Sequence, residues 1–134
     1  MRIVVDSYAW IELFLGSPMG SKVRELIETA DESFTPDSVL AELSRKYFRE
    51  GAAEKLVRER LSAVQGASQI VNITPDLAVH SSKAYLDLFE RAKKRKLQSP
   101  SLFDGLVLGT ARLRDAKVVT ADPHFKDLPE TIWI

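Results

Sequence analysis

The 134-residue chain contains no cysteine and only two histidines, His80 and His124. Without cysteine there is no disulfide framework, thiol nucleophile, Cys-zinc site or iron–sulfur cluster. Two histidines with no partner at ligand spacing do not make an imidazole-based metal site, so both are assigned to surface or turn positions. No apolar run approaches the ~18 residues of a membrane span, and the chain enters a β-branched run at once instead of showing a signal peptide. The expected location is the cytoplasm, away from any membrane. There is no G-x-G-x-x-G or Walker-type loop, and Gly105 and Gly109, one helical turn apart, are expected to allow close packing against a sheet. No Ser-His-Asp arrangement can be assembled. Net charge is missing as well, since 19 Lys and Arg face 19 Asp and Glu. Neutrality on its face speaks against a nucleic-acid partner, which leaves a basic footprint.

What is present is a chain that is 45% hydrophobic, long enough to bury roughly two-thirds of its unfolded surface in one domain spanning residues 1–134. Residues 2–5 (RIVV) form a short strand that stops at Asp6, followed by a helix with Trp10, Leu13 and Phe14 on one face. Ser17 and Pro18 open a second helix. ESFT is a short strand, and PDSVLAELSRKYF places Val39, Leu40, Leu43 and Tyr47 along one helical face. Gly51 resets the chain before AAEKLVRERLSAV. SQIVNI is strand-like, Thr74 and Pro75 open a long helix, and Pro100 precedes another over SLFDGLVLGTARLRD. AKVVTAD and ETIWI supply the remaining strands. Strands separated by helices, with no hairpin signal, predict an α/β domain with a mostly parallel sheet.

In such a sheet, ligands bind beyond the carboxyl ends of the strands where the winding direction reverses. Asp6 follows RIVV and Asp122 follows KVVTA, so the two carboxylates converge if those strands are neighbours. Asp104 lies in the first turn of the helix upstream of the second strand, and Glu42 in the helix after ESFT. Each acid has a structural explanation. Asp6 is placed to cap a helix, and Asp104 stands three residues after Ser101, a capping-box spacing. Asp122 precedes Pro123 and suits a turn, and Glu42 suits an ion pair with Arg45 or Lys46. Their joint placement says more, because clustered carboxylates repel unless a cation neutralises them. Oxygen ligands without His or Cys select one or two magnesium or manganese ions, which points to phosphate-ester chemistry. Two ions about 4 Å apart would serve an attacking water and a leaving oxygen.

In RIVVDSYAWIELFL, SVLAELSRKY and SLFDGLVLGTARLRDAKVVTADPHF, and in overall length, the chain resembles PIN-domain ribonucleases, most closely the short VapC-type toxins. The resemblance covers essentially the whole chain. It implies a three-layer domain with a five-stranded parallel sheet flanked by helices. It further implies a metal-dependent endoribonuclease in which Asp6, Glu42, Asp104 and Asp122 hold one or two magnesium or manganese ions. Ser7 and Thr120 match hydroxyl positions that would orient a carboxylate or a water, although both also suit local turn capping. Phe125 matches an aromatic expected in the core. For a VapC-type toxin the implied partners are an RNA substrate, an antitoxin blocking the active-site groove, and a second copy in a homodimer. A housekeeping RNA-processing nuclease on the same fold is the alternative within the family.

Rival readings fit less well. A phosphoacceptor receiver domain needs an acidic pair after the first strand, where Asp6 is followed by Ser7, and a D-x-D phosphatase meets Tyr8 at the third position. A non-catalytic RNA- or protein-binding module remains open, and would give no heat on titration with manganese. The charges are also segregated. Residues 45–60 carry six basic and three acidic side chains, and residues 91–96 five basic and none acidic. Arg45, Lys46, Lys93, Lys94 and Arg95 are therefore candidates for RNA contact, with a solvated helix end as the competing reading of the last three.

Overall fold

In the computed structural model, which describes residues 1–134, RIVV forms strand β1 (Arg2–Val5) and its last three side chains are fully buried. Apolar residues at successive positions suit a parallel sheet with helices on both faces, where neither side of a strand meets water. Helix α1 (Ser7–Leu15) starts on the side-chain cap of Asp6 and stops at Gly16, whose left-handed backbone (φ 68°) turns the chain. Helix α2 (Pro18–Thr29) has Ser17 accepting from the Gly20 amide as its cap. Strand β2 (Glu32–Pro36) leads directly into α3 (Asp37–Arg49), and α4 (Glu54–Ala67) follows a turn at Gly51.

The strand expected at 68–73 is shorter, with β3 covering Gln69–Val71. Ser68 directs its hydroxyl to Thr35 (2.7 Å), and the Ile73 amide is taken by the Asp37 carboxylate (3.3 Å) instead of a strand neighbour. Helix α5 (Pro75–Lys94) is capped by Thr74, α6 (Leu102–Arg114) by the Ser101–Asp104 capping box, and β4 (Lys117–Thr120) comes next. A 3₁₀ turn at Pro123–Phe125 and strand β5 (Thr131–Trp133) complete the order.

All five strands are parallel, in the order β3-β2-β1-β4-β5. The chain winds outward from β1 through β2 to β3, then crosses to β4 on the other side of β1. The β1/β4 boundary is therefore the switch point, with Val5 opposite Val119 in register. The core holds Trp10, Phe34, Leu43, Leu88, Leu108 and Phe125 at 2% exposure or less, which places Phe125 where it was expected. No helix is long and apolar enough to cross a membrane.

Gly105 and Gly109 allow a close approach, but to α5, not to the sheet. A Cβ at Gly109 would stand 2.7 Å from the Ser81 Cα, and one at Gly105 2.7 Å from the Ser81 carbonyl oxygen. Helix α6 is sandwiched between α5 and the central strands, and the residues without side chains fall on its α5-facing side. Sequence spacing identifies such a face but not its neighbour.

Candidate metal centre

Three aspartates reach the carboxyl edge of the sheet by way of local capping, so their structural and functional readings coincide. Asp6, 4% exposed at the end of β1, accepts the Ser7 amide on Oδ1 (2.8 Å) and the Thr120 hydroxyl on Oδ2 (2.9 Å). Asp104 accepts the Ser101 amide on Oδ2 (2.8 Å), leaving Oδ1 uncommitted. Asp122 accepts the His124 amide on Oδ1 (2.9 Å) and keeps Oδ2 for other use. Capping fixes each carboxylate's orientation at the cost of one oxygen or less.

Thr120 joins the two halves of the site. Its hydroxyl donates to Asp6 and accepts from the Asp122 amide (3.0 Å), so one fully buried group sets the spacing between residues 116 positions apart. Thr120→Val keeps the shape and removes both bonds. Manganese affinity is expected to fall about 10- to 100-fold, with Thr120→Ser close to wild type, in calorimetric titration of the two variants.

Glu42 comes from the middle of α3. It makes no ion pair, because Lys46 binds Glu50 instead (2.6 Å). Burial pushes its pKa up to about 7, and Asp6, Asp104 and Asp122 add to the shift while Arg45 opposes it. Asp6 is likewise pushed to about 7 by burial, with Asp104 and Asp122 adding repulsion against the Thr120 and Ser7 hydrogen bonds. Burial and then Asp122 raise Asp104, again against hydrogen bonds from Ser101. Asp6, Glu42 and Asp104 are thus each raised by burial and by at least one neighbouring carboxylate.

The ligand atoms of Asp104, Asp122 and His124 lie within 4.8 Å of one another. His124 lies in the 3₁₀ turn, one of the positions expected for it, and is in addition a neighbour of the acids, which the sequence reading does not bring out. Its Nδ1 contacts Asp122 Oδ1 (2.9 Å) and its Nε2 the Gln98 carbonyl (2.7 Å). Two acceptors on the two nitrogens favour the doubly protonated ring and leave neither lone pair free for a cation. The ring therefore braces Asp122. Burial would lower its pKa, but the Gln98 carbonyl, Asp122 and Asp104 together raise it. The signal available in the sequence was its place two residues after Asp122 in T-A-D-P-H-F. His80, by contrast, is a surface residue 3.9 Å from Asp76.

The basic residues divide. Arg45 and Lys46, with Arg49, line a cleft of about 350 Å³ shared with Ser7 and Glu42. Ser7 contributes its amide to Asp6 and is among the residues lining this cleft. At the end of α5, Arg95 donates to the carbonyls of Pro123 (3.2 Å) and Lys126 (3.1 Å), and Arg91 to that of Lys126 (3.1 Å). Both guanidinium groups hold the loop that carries Asp122 and His124. Lys93 lies near Glu90 (3.7 Å) and over Phe89, and Lys94 is exposed.

Hard carboxylate oxygens crowded at the carboxyl edge of the sheet form a donor set suited to magnesium or manganese. A five-stranded parallel α/β fold with acids at its switch point defines a class of domain, and the family follows from the sequence itself. The sequence model of the PIN domain family matches residues 3–131, and the chain belongs to that family. No curated protein matches it significantly in sequence. Among solved structures, VapBC-1 from nontypeable Haemophilus influenzae is similar in fold (TM-score 0.69, 15% identity, 100% of this chain and 97% of that chain). So is VapBC2 from Rickettsia felis bound to a DNA fragment from its promoter (TM-score 0.68, 17% identity, 100% and 98%). Mycobacterium tuberculosis VapC20, described as a toxin cleaving the sarcin-ricin loop, aligns with TM-score 0.67 at 16% identity over 92% of each chain.

Proposed function

We propose that this protein is a metal-dependent endoribonuclease acting in the cytoplasm as the toxin of a VapBC-type pair. The observation that carries the nuclease reading is the mutual approach of Asp6, Glu42, Asp104 and Asp122 at the switch point, with two of them held at pKa values near 7. That repulsion is an energetic cost a divalent cation would relieve. The toxin assignment rests on the fold shared with the VapBC structures. It brings with it an antitoxin seated over the active-site groove and a homodimer.

Asp6, Asp104 and Asp122 would hold one or two magnesium or manganese ions, with Glu42 completing the set directly or through water. When bound, the metal supplies charge neutralisation at the scissile phosphate and activation of water for in-line attack. The chain's own residues do the rest. Thr120, Ser7 and Ser101 orient the carboxylates, His124 braces Asp122, and Arg91 and Arg95 hold its loop. Arg45 and Arg49 offer phosphate contacts beside Glu42, with Lys46 shared between Glu50 and the cleft. A cationic wall against an acidic floor explains how a chain of zero net charge can take up RNA.

The test combines calorimetric titration with manganese and incubation of structured RNAs with magnesium. We expect heat of binding, cleavage abolished by EDTA, and products carrying 5′-phosphates. A protein giving no heat and no EDTA-sensitive cleavage is a binding module.

A further inference from the structure

We infer that Trp133, together with Lys126 and Lys22, forms a stacking platform for an unpaired nucleobase on the far side of the acidic site. The inference deepens the nuclease reading and rests on it. Of the two tryptophans, Trp10 is 1% exposed and gives its indole N–H to Thr35 (3.2 Å). Trp133 is 39% exposed on the edge strand β5, and its N–H meets no acceptor of the chain. An indole left half in water at a sheet edge contributes little to the core.

Its position is fixed by register. Trp133 pairs with Thr120, the residue whose hydroxyl joins Asp6 to Asp122. Two cations converge on it. The Lys126 ammonium lies 5.6 Å from the ring centroid, and the Lys22 ammonium donates to the Trp133 carbonyl (2.8 Å). Lys126 belongs to the loop that carries Asp122 and His124, and its carbonyl is clamped by Arg91 and Arg95, so its backbone is anchored relative to the site.

The strand order then lays out a track along the carboxyl edge of the sheet. The Arg45 and Arg49 cleft belongs to α3, which follows β2; Asp6 ends β1; Asp122 follows β4; and Trp133 ends β5. Three strand spacings span roughly 14 Å, the length of a few nucleotides. Single-stranded nucleic acid is held by this combination of cations for the backbone and an aromatic face for a base. Positive charge on both flanks of an acidic floor favours RNA over an apolar partner segment at this edge.

A dye-labelled, unpaired 12-nucleotide RNA in EDTA, where metal-dependent cleavage is stopped, supplies the probe. Its affinity is read by anisotropy for wild type, Trp133→Leu and Trp133→Phe, alongside acrylamide quenching of tryptophan emission. Because Trp10 is buried, the quenchable emission comes from Trp133. We expect Trp133→Leu to bind about 10-fold or more weakly, Trp133→Phe to retain most of the affinity, and RNA to shield the wild-type indole from acrylamide. An abasic oligonucleotide of the same length should bind wild type and Trp133→Leu alike. Unchanged RNA affinity in Trp133→Leu with no shielding overturns the platform while leaving the nuclease reading intact. Shielding that depends on protein concentration without RNA would assign the ring to a contact between copies and also overturn it. Wild type that fails to bind this RNA in EDTA overturns the platform, while the nuclease reading is decided by the magnesium cleavage assay.

Discussion

Asp6→Asn is expected to abolish metal-dependent RNA cleavage and, at pH 8, to make the metal-free protein more stable. The two effects have one origin. Asp6 is buried, its pKa is raised to about 7, and at pH 8 the folded metal-free protein keeps an anion there close to Asp104 and Asp122. Asparagine has the same shape and still accepts the Ser7 amide. It removes the charge a cation needs, and the loss in cleavage rate is expected to be on the order of 10³-fold or more. The gain in Tm should be several degrees at pH 8 and near zero at pH 5, where Asp6 is itself protonated. Activity assays and melting curves at both pH values check this, and a variant that cleaves RNA at the wild-type rate would sink the metal assignment.

The metal-free wild type is expected to lose stability as pH rises, the reverse of the usual behaviour of carboxylates. A carboxyl whose folded pKa lies above its unfolded value binds its proton more tightly when folded. Stability is then highest below the unfolded value, near pH 4, and falls until pH passes the folded value near 7. His124, also raised, acts in the same direction through its own higher window. For Asp6 alone the rise from 3.8 to about 7 corresponds to about 4 kcal/mol at roughly 1.4 kcal/mol per unit. A fall in Tm of about 10 °C between pH 5 and pH 8 is the expected scale for a chain of this size. Saturating manganese should remove it, because a bound cation stabilises the ionised carboxylates. A Tm that rises over this range without metal would contradict the placement of these acids.

Much of the fold was legible because its strands and caps are local signals. RIVV and KVVT are β-branched runs buried on both faces, and Ser17, Thr74 and Ser101 cap the helices that their positions predict. The alternation of strands and helices made the sheet parallel, and the convergence of Asp6 and Asp122 hung on β1 and β4 being neighbours, which the strand order supplies. What the sequence withheld was set by tertiary neighbours. Nothing in RAKKRK distinguishes an arginine reaching for phosphate from Arg95 reaching two loop carbonyls 28 and 31 residues away. His124 looked isolated because its second partner is the main-chain carbonyl of Gln98, which carries no side-chain signature. The end of β3 was decided by Asp37, which draws off the Ile73 amide from 36 residues away.

The hydroxyl of Thr120 also ties Asp6 to a part of the chain that pairs late. Strands β1, β2 and β3 are neighbours in both sequence and sheet, and can pair while the remainder of the chain is still being synthesised. The Asp6 carboxylate then has its Ser7 amide but no second support, and Asp104 and Asp122 are absent. Insertion of β4 against β1 closes a loop of more than a hundred residues, the slowest kind of contact to form. That single step delivers Thr120, Asp122 and the braced loop together. A partly folded chain without β4 holds only half of the acid cluster, so the proposed metal site is incomplete until β4 has joined the sheet.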